Sequence, residues 1–220
     1  MRNALENITL TDLEYLDRIH PRLDGVLRRI DREGGRENIP VVGTAVGRFL
    51  RVLALAIGAK RVLEIGTAIG YSALWAGGAL PRGGELVGIE PDRARAQRAR
   101  MNWREAKIAA KLTVHEAPAL DVLPKLRGPF DLIFIDALKE EYESYLDGAL
   151  PLLRDRGVVA VDNLLWGGRA SGSRPDDHGA ATRAIRRFNK RFLADGRLVA
   201  TIVPIGDGVG VGVKRSVDSR

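Results

Sequence analysis

Short apolar runs and helical patterns alternate along the chain from Arg61 onward. The apolar runs read RVLEIG (61–66), ELVGIE (85–90), LTVHE (112–116), FDLIFID (130–136) and GVVAVD (157–162). Such nearly continuous runs are typical of strands that are buried on both faces of a parallel sheet. Helical patterns lie between them, over residues 72–80, 93–109, 119–126 and 140–153. The alternation predicts a doubly wound α/β fold around a mostly parallel sheet.

Both ends of the chain extend this pattern. Helical spacing in the first forty residues is interrupted at Pro21, and we expect the Gly34-Gly35 pair to stop it. A second apolar helix, 41–59, leads into the first strand. At the other end, a helix over 180–194 precedes two β-rich runs separated by the triplet Gly-Asp-Gly (206–208), which favours an antiparallel hairpin. The predicted sheet therefore has seven strands and ends in this hairpin.

Composition narrows the class of protein. The chain has 220 residues and no repeat or linker, so we expect one domain over residues 1–220, in which residues 1–40 form a helical extension that serves as a lid or a dimer contact. Cysteine is absent, which excludes disulfides, thiolate metal sites and cysteine nucleophiles. The longest apolar run, 52–59, is too short to span a bilayer, and the start lacks a signal-like pattern. We expect a cytoplasmic protein with no membrane contact.

The formal net charge of +7 comes from two short stretches. Residues 93–111 hold seven Lys and Arg against one Glu, and residues 183–191 hold five Lys and Arg with no acid. A basic surplus of this kind suggests nucleic acid or another anionic partner. No aromatic residues interleave with the cations in a stacking pattern, so we favour solvated helix faces over a nucleic-acid interface.

Acidic residues end several of the predicted strands. Strand one contains Glu64, the second strand ends in Glu90, the fourth in Asp136, and the fifth in Asp162 followed by Asn163. Ligands of open parallel sheets bind beyond the carboxyl ends of the strands. Carboxylates at these positions are costly to bury unless a ligand or a cation partners them. The sequence therefore places candidate chemistry along this edge of the sheet.

The loop after the first strand favours a nucleoside cofactor. It has the spacing Gly66-x-x-x-Gly70 before a helix, whereas the dinucleotide fingerprint requires Gly-x-Gly-x-x-Gly and a phosphate loop requires Gly-Lys-Ser/Thr. Glu90 follows Gly70 by twenty residues and suits the two hydroxyls of an unphosphorylated ribose. Together they indicate an adenosine-containing cofactor without a pyrophosphate, although the loop alone is equally compatible with a plain tight turn.

The acids of the fourth and fifth strands are candidate metal ligands. Asp136, Asp162 and Asn163 offer oxygen donors, which suit Mg²⁺ or Ca²⁺ better than Zn²⁺. The alternative is a helix cap at Asp136 and a turn at Asp162-Asn163. Lys139 follows Asp136 by three residues and is a candidate general base beside a divalent cation; without the metal it is an ordinary surface lysine.

Five linked motifs resemble the metal-dependent class I S-adenosylmethionine (SAM) O-methyltransferases, the family of the catechol and caffeoyl-CoA enzymes and their small bacterial relatives. The motifs, which appear in the family's order between about residues 41 and 214, are RVLEIGTAIGYSAL (61–74), EAPALDVLPKL (116–126), FDLIFIDALKEEY (130–142), GVVAVDNLLWGG (157–168) and VPIGDGVGVGV (203–213). The resemblance implies a Rossmann-like fold and SAM as the methyl donor.

The resemblance also implies roles for individual residues. Residues expected to bind SAM are Val42, Glu64, Gly66, Thr67, Ser72, Glu90, Ala119 and Asp136, with Glu90 at the ribose and Ala119 at the adenine. Asp136, Asp162 and Asn163 match the metal ligands, and Lys139 matches the catalytic lysine, with Asp136 also reaching the acceptor. Trp166 lies where the family often places an aromatic residue facing the acceptor. The family's Asp-Ala-Asp-Lys motif has a leucine, Leu138, as its third residue in this chain.

The predicted function is methyl transfer from SAM to a hydroxyl of a catechol-type small molecule, with Mg²⁺, Ca²⁺ or Mn²⁺ bound, in a homodimer. Two octahedral positions of Mg²⁺ would then hold the two adjacent acceptor oxygens. The first alternative is methylation of a hydroxylated uridine in tRNA, for which the basic helices would be the docking surface. The second is a nicotinamide oxidoreductase, which the glycine spacing disfavours. The third is a protein that binds the cofactor without catalysis.

Overall fold

A seven-stranded sheet forms the centre of the molecule. The structure is a computed structural model that describes residues 9–23 and 25–216. In chain order the strands are β1 (Arg61–Ile65), β2 (Glu85–Ile89), β3 (Lys111–His115), β4 (Phe130–Ile135), β5 (Leu153–Val161), β6 (Leu198–Val203) and β7 (Val209–Lys214). Their order across the sheet is β3-β2-β1-β4-β5-β7-β6, with the first five parallel and the last two antiparallel. The predicted fold class is confirmed.

The chain has eight α-helices within the described residues, and all but the first cover the two faces of the sheet. They are α1 (Leu10–Ile19), α2 (Gly25–Glu37), α3 (Thr44–Ala56), α4 (Tyr71–Gly77), α5 (Arg93–Glu105), α6 (Ala119–Val122), α7 (Tyr142–Ala149) and α8 (Ala180–Ala194). One apolar core joins α2 to α5 with one face of the sheet, and a second core joins α6 to α8 with the other face. Among the described residues, no helix is long and apolar enough to cross a membrane.

Several helices are shorter than their apolar patterns predict, and two of them are interrupted at proline. The predicted helix over 119–126 is divided into α6 and a 3₁₀ turn that contains Pro124. The predicted helix over 140–153 is α7 with a 3₁₀ turn on each side, the second of which contains Pro151. Proline has no N–H to donate and its ring clashes with the preceding turn, so it ends the regular α-helix at both places.

The expected stop at Gly34-Gly35 is wrong. Helix α2 continues through both glycines and ends at Glu37. Gly34 is buried, and a Cβ atom on it would lie 2.9 Å from a methyl group of Val41. The small residue therefore allows the following segment to fold back closely against α2, and the chain turns only at Asn38, whose φ of 51° is left-handed. The interruption at Pro21, between α1 and α2, is confirmed.

A polar bridge connects α2 to the loop that follows β1. The guanidinium of Arg29 donates to Oδ1 of Asn102 at 2.8 Å, and Nδ2 of Asn102 donates to the carbonyl of Ile69 at 2.8 Å. Glu33 and Glu105 accept from the same guanidinium. Asn102 is buried, so these bonds satisfy a polar group that would be costly to leave unpaired. The bridge fixes the first loop to two helices.

The parallel strands end in register at one edge of the sheet. Ile65 of β1 pairs with Ile89 of β2 and with Ile135 of β4, and Ile135 pairs with Val161 of β5. The residue after each of these strands therefore emerges beside its neighbours. The β6–β7 turn reaches the same edge, because β7 runs antiparallel to β5 and pairs Gly210 with Val161.

Gly66 allows the ends of β1 and β4 to approach each other. Its φ is 92°, and a Cβ atom there would lie 2.0 Å from the carbonyl oxygen of Asp136. We expect Gly66→Ala to destabilise the fold more than Gly83→Ala. Gly83 has a similar φ of 84° but nothing within 4 Å of its Cβ position. The backbone cost of about 1–2 kcal/mol is common to both variants, and the steric overlap at Gly66 adds about 1–3 kcal/mol.

Urea denaturation of the two variants and the parent protein measures this difference. An equal loss of unfolding free energy in Gly66→Ala and Gly83→Ala would show that the contact with Asp136 does not constrain the strand ends.

Candidate active site

A cavity of about 730 Å³ lies at the edge where the parallel strands end. Its volume is in the range of small-molecule sites. The predicted site residues that line it are Val42, Gly66, Thr67, Ser72, Glu90, Asp136, Lys139, Asp162, Asn163 and Trp166. The structure thus brings ten of the twelve predicted residues to one cavity, from five separate segments of the chain.

The other two predicted residues, Glu64 and Ala119, are not in the cavity lining. Ala119 begins α6 and is buried in the core that α6 shares with α7 and α8. Glu64 is in β1 and only 1 % exposed. Both roles came from the family resemblance, and the structure shows neither side chain at the cavity wall.

Glu90 organises the loop that follows β1. One oxygen of its carboxylate accepts from the backbone N–H of Ala68 at 2.8 Å, and the other accepts from the N–H of Asp92 at 2.9 Å. The side chain is 5 % exposed, so these bonds offset the cost of burying the carboxylate. Each carboxylate oxygen can accept a further bond. Glu90 can therefore receive two neighbouring hydroxyl groups without giving up its own contacts.

Glu64 is a buried carboxyl with an unused oxygen. Its Oε2 atom has no hydrogen-bond partner among the described residues. Burial raises the pKa of Glu64 to about 7, against an opposing effect of the Ser72 and Thr67 hydroxyls. A buried carboxyl with a strongly raised pKa is typical of residues in or next to functional sites.

Lys139 is held by a carboxylate and two aromatic rings. Its Nζ donates to Oδ1 of Asp136 at 2.8 Å. The same nitrogen lies 5.1 Å from the centre of the Tyr142 ring and 5.8 Å from that of Trp166. The lysine side chain is 12 % exposed and the aspartate side chain 21 %. These contacts fix the ammonium group at the cavity wall and restrict its rotamers.

Asp162 and Asn163 continue the acidic edge beyond β5. The Asp162 carboxylate accepts from the N–H of Asn163 at 2.8 Å, and its backbone carbonyl accepts from the Tyr142 hydroxyl at 3.2 Å. Burial first, and the Asp136 carboxylate second, raise the pKa of Asp162 to about 7. A cation bound beside Asp162 would offset this effect and stabilise its ionised form.

The oxygen donors of Asp136 and Asp162, together with the side-chain amide of Asn163, fit a hard divalent cation. Within residues 9–23 and 25–216, no group of three or more His, Asp or Glu side chains could hold a metal ion. Beside the two carboxylates, Asp136 and Asp162, the amide oxygen of Asn163 would be a third protein donor. Oxygen donors of this type suit Mg²⁺, Ca²⁺ or Mn²⁺.

Sequence reasoning missed further residues of the cavity. Asp207, on the β6–β7 turn, lines it and accepts from Nδ2 of Asn163 at 3.3 Å and from the N–H of Gly167 at 2.7 Å. Arg95 and Leu138 also line it. The Gly-Asp-Gly triplet by itself predicts only a hairpin turn, because aspartate is common in turns. One sequence signal could have identified Asp207: like the other acids, it follows the carboxyl end of a predicted strand.

Three non-glycine residues at the site have left-handed backbones. They are Ala68 with φ 45°, Asn163 with φ 62° and Trp166 with φ 51°. Such conformations cost about 1–3 kcal/mol each and persist where the surrounding contacts determine them. Here the Glu90 carboxylate holds the N–H of Ala68, and Asp207 holds the side chain of Asn163.

Similarity to known proteins identifies the family of this chain. A sequence model described as O-methyltransferase matches residues 22–215. The chain belongs to the O-methyltransferase family. It is 40% identical to a catechol O-methyltransferase of Mycobacterium tuberculosis over 178 residues, which cover 79% of this chain and 80% of that protein. It is 37% identical to a catechol O-methyltransferase of Niastella koreensis over 172 residues, covering 76% and 75%.

Solved structures agree with the sequence relatives. The O-methyltransferase TomG from Streptomyces achromogenes, solved in complex with SAM, has a TM-score of 0.81 and 32% identity, covering 97% of this chain and 100% of that chain. The prediction that the protein is a SAM-dependent O-methyltransferase is confirmed. The nicotinamide oxidoreductase and the non-catalytic binding protein are therefore not retained as interpretations.

The raised pKa of Glu64 predicts a pH-dependent stability for the cofactor-free protein. A carboxyl whose pKa rises from 4.5 to about 7 on folding stabilises the fold below pH 4.5, and this stability is lost as the pH rises through 7. The loss corresponds to about 3 kcal/mol. In urea denaturation between pH 4.5 and 8, we expect Glu64→Gln to avoid this loss and to gain stability relative to the parent protein as the pH rises.

Glu14→Gln is the matched control, because Glu14 is exposed on α1. It should follow the parent protein at every pH. A difference between Glu64→Gln and the parent protein that does not change with pH would contradict the raised pKa.

Proposed function

We propose that this O-methyltransferase transfers the methyl group of SAM to one hydroxyl of a vicinal, catechol-type diol, with a divalent cation bound by Asp136, Asp162 and Asn163. The observation that carries the proposal is one cavity wall that presents these three oxygen donors beside Lys139, with Glu90 on the same cavity. The catechol O-methyltransferase names of two relatives support the acceptor class.

The charge of the cavity supports a cationic donor and a cationic metal. Glu90, Asp136, Asp162 and Asp207 line it, against Lys139 and Arg95. A wall with this acidic excess attracts cations, and SAM carries its methyl group on a positively charged sulfur. The divalent cation, when bound, would hold the acceptor oxygens and favour the ionised hydroxyl.

The residues of the chain then have separate tasks. Glu90 binds the ribose hydroxyls while it keeps the loop at Ala68 in place. Asp136 and the two rings hold Nζ of Lys139 at the wall, where it receives or accommodates the proton of the acceptor hydroxyl. The methyl group passes in line from sulfur to oxygen, so fixing both reactants in one cavity supplies much of the rate acceleration.

Trp166 and Leu138 favour an aromatic acceptor. Both line the cavity, and Leu138 is 63% exposed at the position where the family motif has an acid. An apolar residue at the entrance loses water contact when a flat, apolar acceptor binds, which is favourable.

A small acceptor is favoured over tRNA, because many cations of the two basic stretches are ion-paired. Arg98 bonds to Glu37 at 2.6 Å, Arg100 to Glu116 at 2.6 Å and Arg191 to Asp147 at 2.5 Å. Paired arginines contribute less to the attraction of a phosphate backbone. We therefore keep tRNA as the alternative acceptor within the same family.

The function is tested by a methyl-transfer screen with SAM over catechols, caffeoyl esters, acyl-CoA thioesters and tRNA, with Mg²⁺ or with a chelator. We expect transfer to a catechol that stops on chelation. Asp162→Ala should lose cation binding and turnover while it keeps SAM affinity. Lys139→Met should retain SAM and cation binding but lower kcat by about 10²–10⁴-fold, because the amine that receives or accommodates the proton is removed.

Full activity in chelator, or in chelator-treated Asp162→Ala, would reject the metal mechanism. An unchanged kcat in Lys139→Met would remove the lysine from it. Transfer to tRNA alone would replace the catechol acceptor.

We also propose that the protein is a homodimer that buries α1. This helix has no buried residue, and Leu10, Leu13, Leu16 and Ile19 are each 46% exposed or more. Light scattering should give twice the chain mass of 24.0 kDa, and the double variant Leu13→Glu/Leu16→Glu should give a monomer. Leu193→Glu, at a residue of α8 that is 50% exposed, is the control and should remain dimeric. A monomeric parent protein would refute the proposal.

A further inference from the structure

The β6–β7 turn is hydrogen-bonded to the segment that follows β5. Asp207 uses both carboxylate oxygens on that segment: Oδ2 accepts from Nδ2 of Asn163 at 3.3 Å, and Oδ1 accepts from the N–H of Gly167 at 2.7 Å. The backbone carbonyl of Asp207 accepts from the N–H of Leu165 at 2.8 Å. The carbonyl of Gly208 accepts from the N–H of Leu164 at 2.9 Å. Four bonds from two residues thus hold the loop between Asn163 and Gly167.

The bond between Asp207 and Asn163 determines which way the amide faces. An ionised carboxylate can only accept hydrogen bonds, so the amide must present its NH₂ group to Asp207. The carbonyl oxygen of the amide then faces away from Asp207 and is free to bind a cation. With the amide reversed, two oxygens would oppose each other and the nitrogen would replace the ligand atom.

The amide orientation matters because Asp136 and Asp162 offer only two carboxylates to a cation. Among the described residues, no third His, Asp or Glu side chain completes a metal-binding group with them. The amide oxygen of Asn163 would then be the third protein ligand. The backbone of Asn163 is left-handed, with φ 62°, so regular strand pairing does not fix the position of this residue. Asp207 supplies the missing constraint.

We propose that Asp207 is a positioning residue for the cation site: it selects the amide orientation of Asn163 and ties that ligand to the loop that carries Trp166. The inference rests on the proposed function, because it assumes that a divalent cation binds at Asn163. Asp207 itself binds neither the cation nor the acceptor in this assignment. Partners that orient metal ligands typically change metal affinity by about 10–100-fold when they are removed.

The test measures Mn²⁺ affinity of the full chain by electron paramagnetic resonance, without acceptor and without turnover. We expect Asp207→Ala to weaken Mn²⁺ binding by about 10–100-fold. Asp207→Asn should weaken it less, because its amide oxygen still accepts a hydrogen bond from Asn163. Asp155→Asn is the control: Asp155 is exposed near the opposite end of β5, and the variant removes the same charge without affecting Mn²⁺ affinity.

A double-mutant cycle with Asn163→Ala separates positioning from other effects. Once Asn163 is alanine, adding Asp207→Ala should cause no further loss of Mn²⁺ affinity. SAM affinity, measured by calorimetry, should change much less than Mn²⁺ affinity, because Glu90 and its loop are unchanged. Thermal melts accompany each titration, and Asp207→Ser, whose side chain is one carbon shorter, replaces Asp207→Ala if that variant does not fold.

Each result decides the inference. Additive losses in the cycle, or equal affinity of Asp207→Ala and Asp155→Asn, would overturn it. An Asp207→Asn variant as weak as Asp207→Ala would make Asp207 a direct anionic ligand instead. If the parent protein binds no Mn²⁺, the cation of the proposed function fails and the inference with it, whereas Mn²⁺ binding unaffected by Asp207 rejects the inference alone.

Discussion

The in-register ending of the parallel strands is the constraint on which the site depends. Because β1, β2, β4 and β5 stop at the same level, the residues that follow them must share one edge of the sheet. Acidic side chains follow three of these strands, so the fold concentrates negative charge at this edge of the sheet. The raised pKa of Asp162 is the electrostatic result. This arrangement of buried acids is unfavourable for the stability of the fold. A positively charged ligand would offset that cost.

Much of the fold could be predicted because its signals are local. Strand-length apolar runs identify the parallel strands, and their order along the chain with the usual handedness rules identifies the sheet. Helix ends were less predictable. Proline at 124 and 151 shortened two helices in a way that apolar periodicity alone does not show, and Gly34 serves close packing against Val41 instead of a turn. Both outcomes depend on which neighbour a residue meets after folding.

The site divides along the same line. Residues that follow strands, such as Glu90 and Asp162, could be predicted because strand position alone places them at the edge. Residues whose role depends on a distant partner could not. Asp207 is separated from Asn163 by more than forty positions, and only the antiparallel pairing of β5 with β7 brings the two together. Ala119 shows the reverse, since a role inherited from a resemblance did not place its side chain in the cavity lining.

The bridge from Arg29 through Asn102 to Ile69 has a consequence for how the chain can be divided. The amino-terminal helices precede every strand and look like a removable appendage, yet α2 contributes a guanidinium to the polar interior beneath the first loop. A shortened chain that began after α2 would leave a buried amide oxygen without its donor. The carbonyl at Ile69 would then depend on a side chain that is no longer held on its other side. The cooperative folded unit therefore includes α2 in addition to the sheet and the helices that connect its strands.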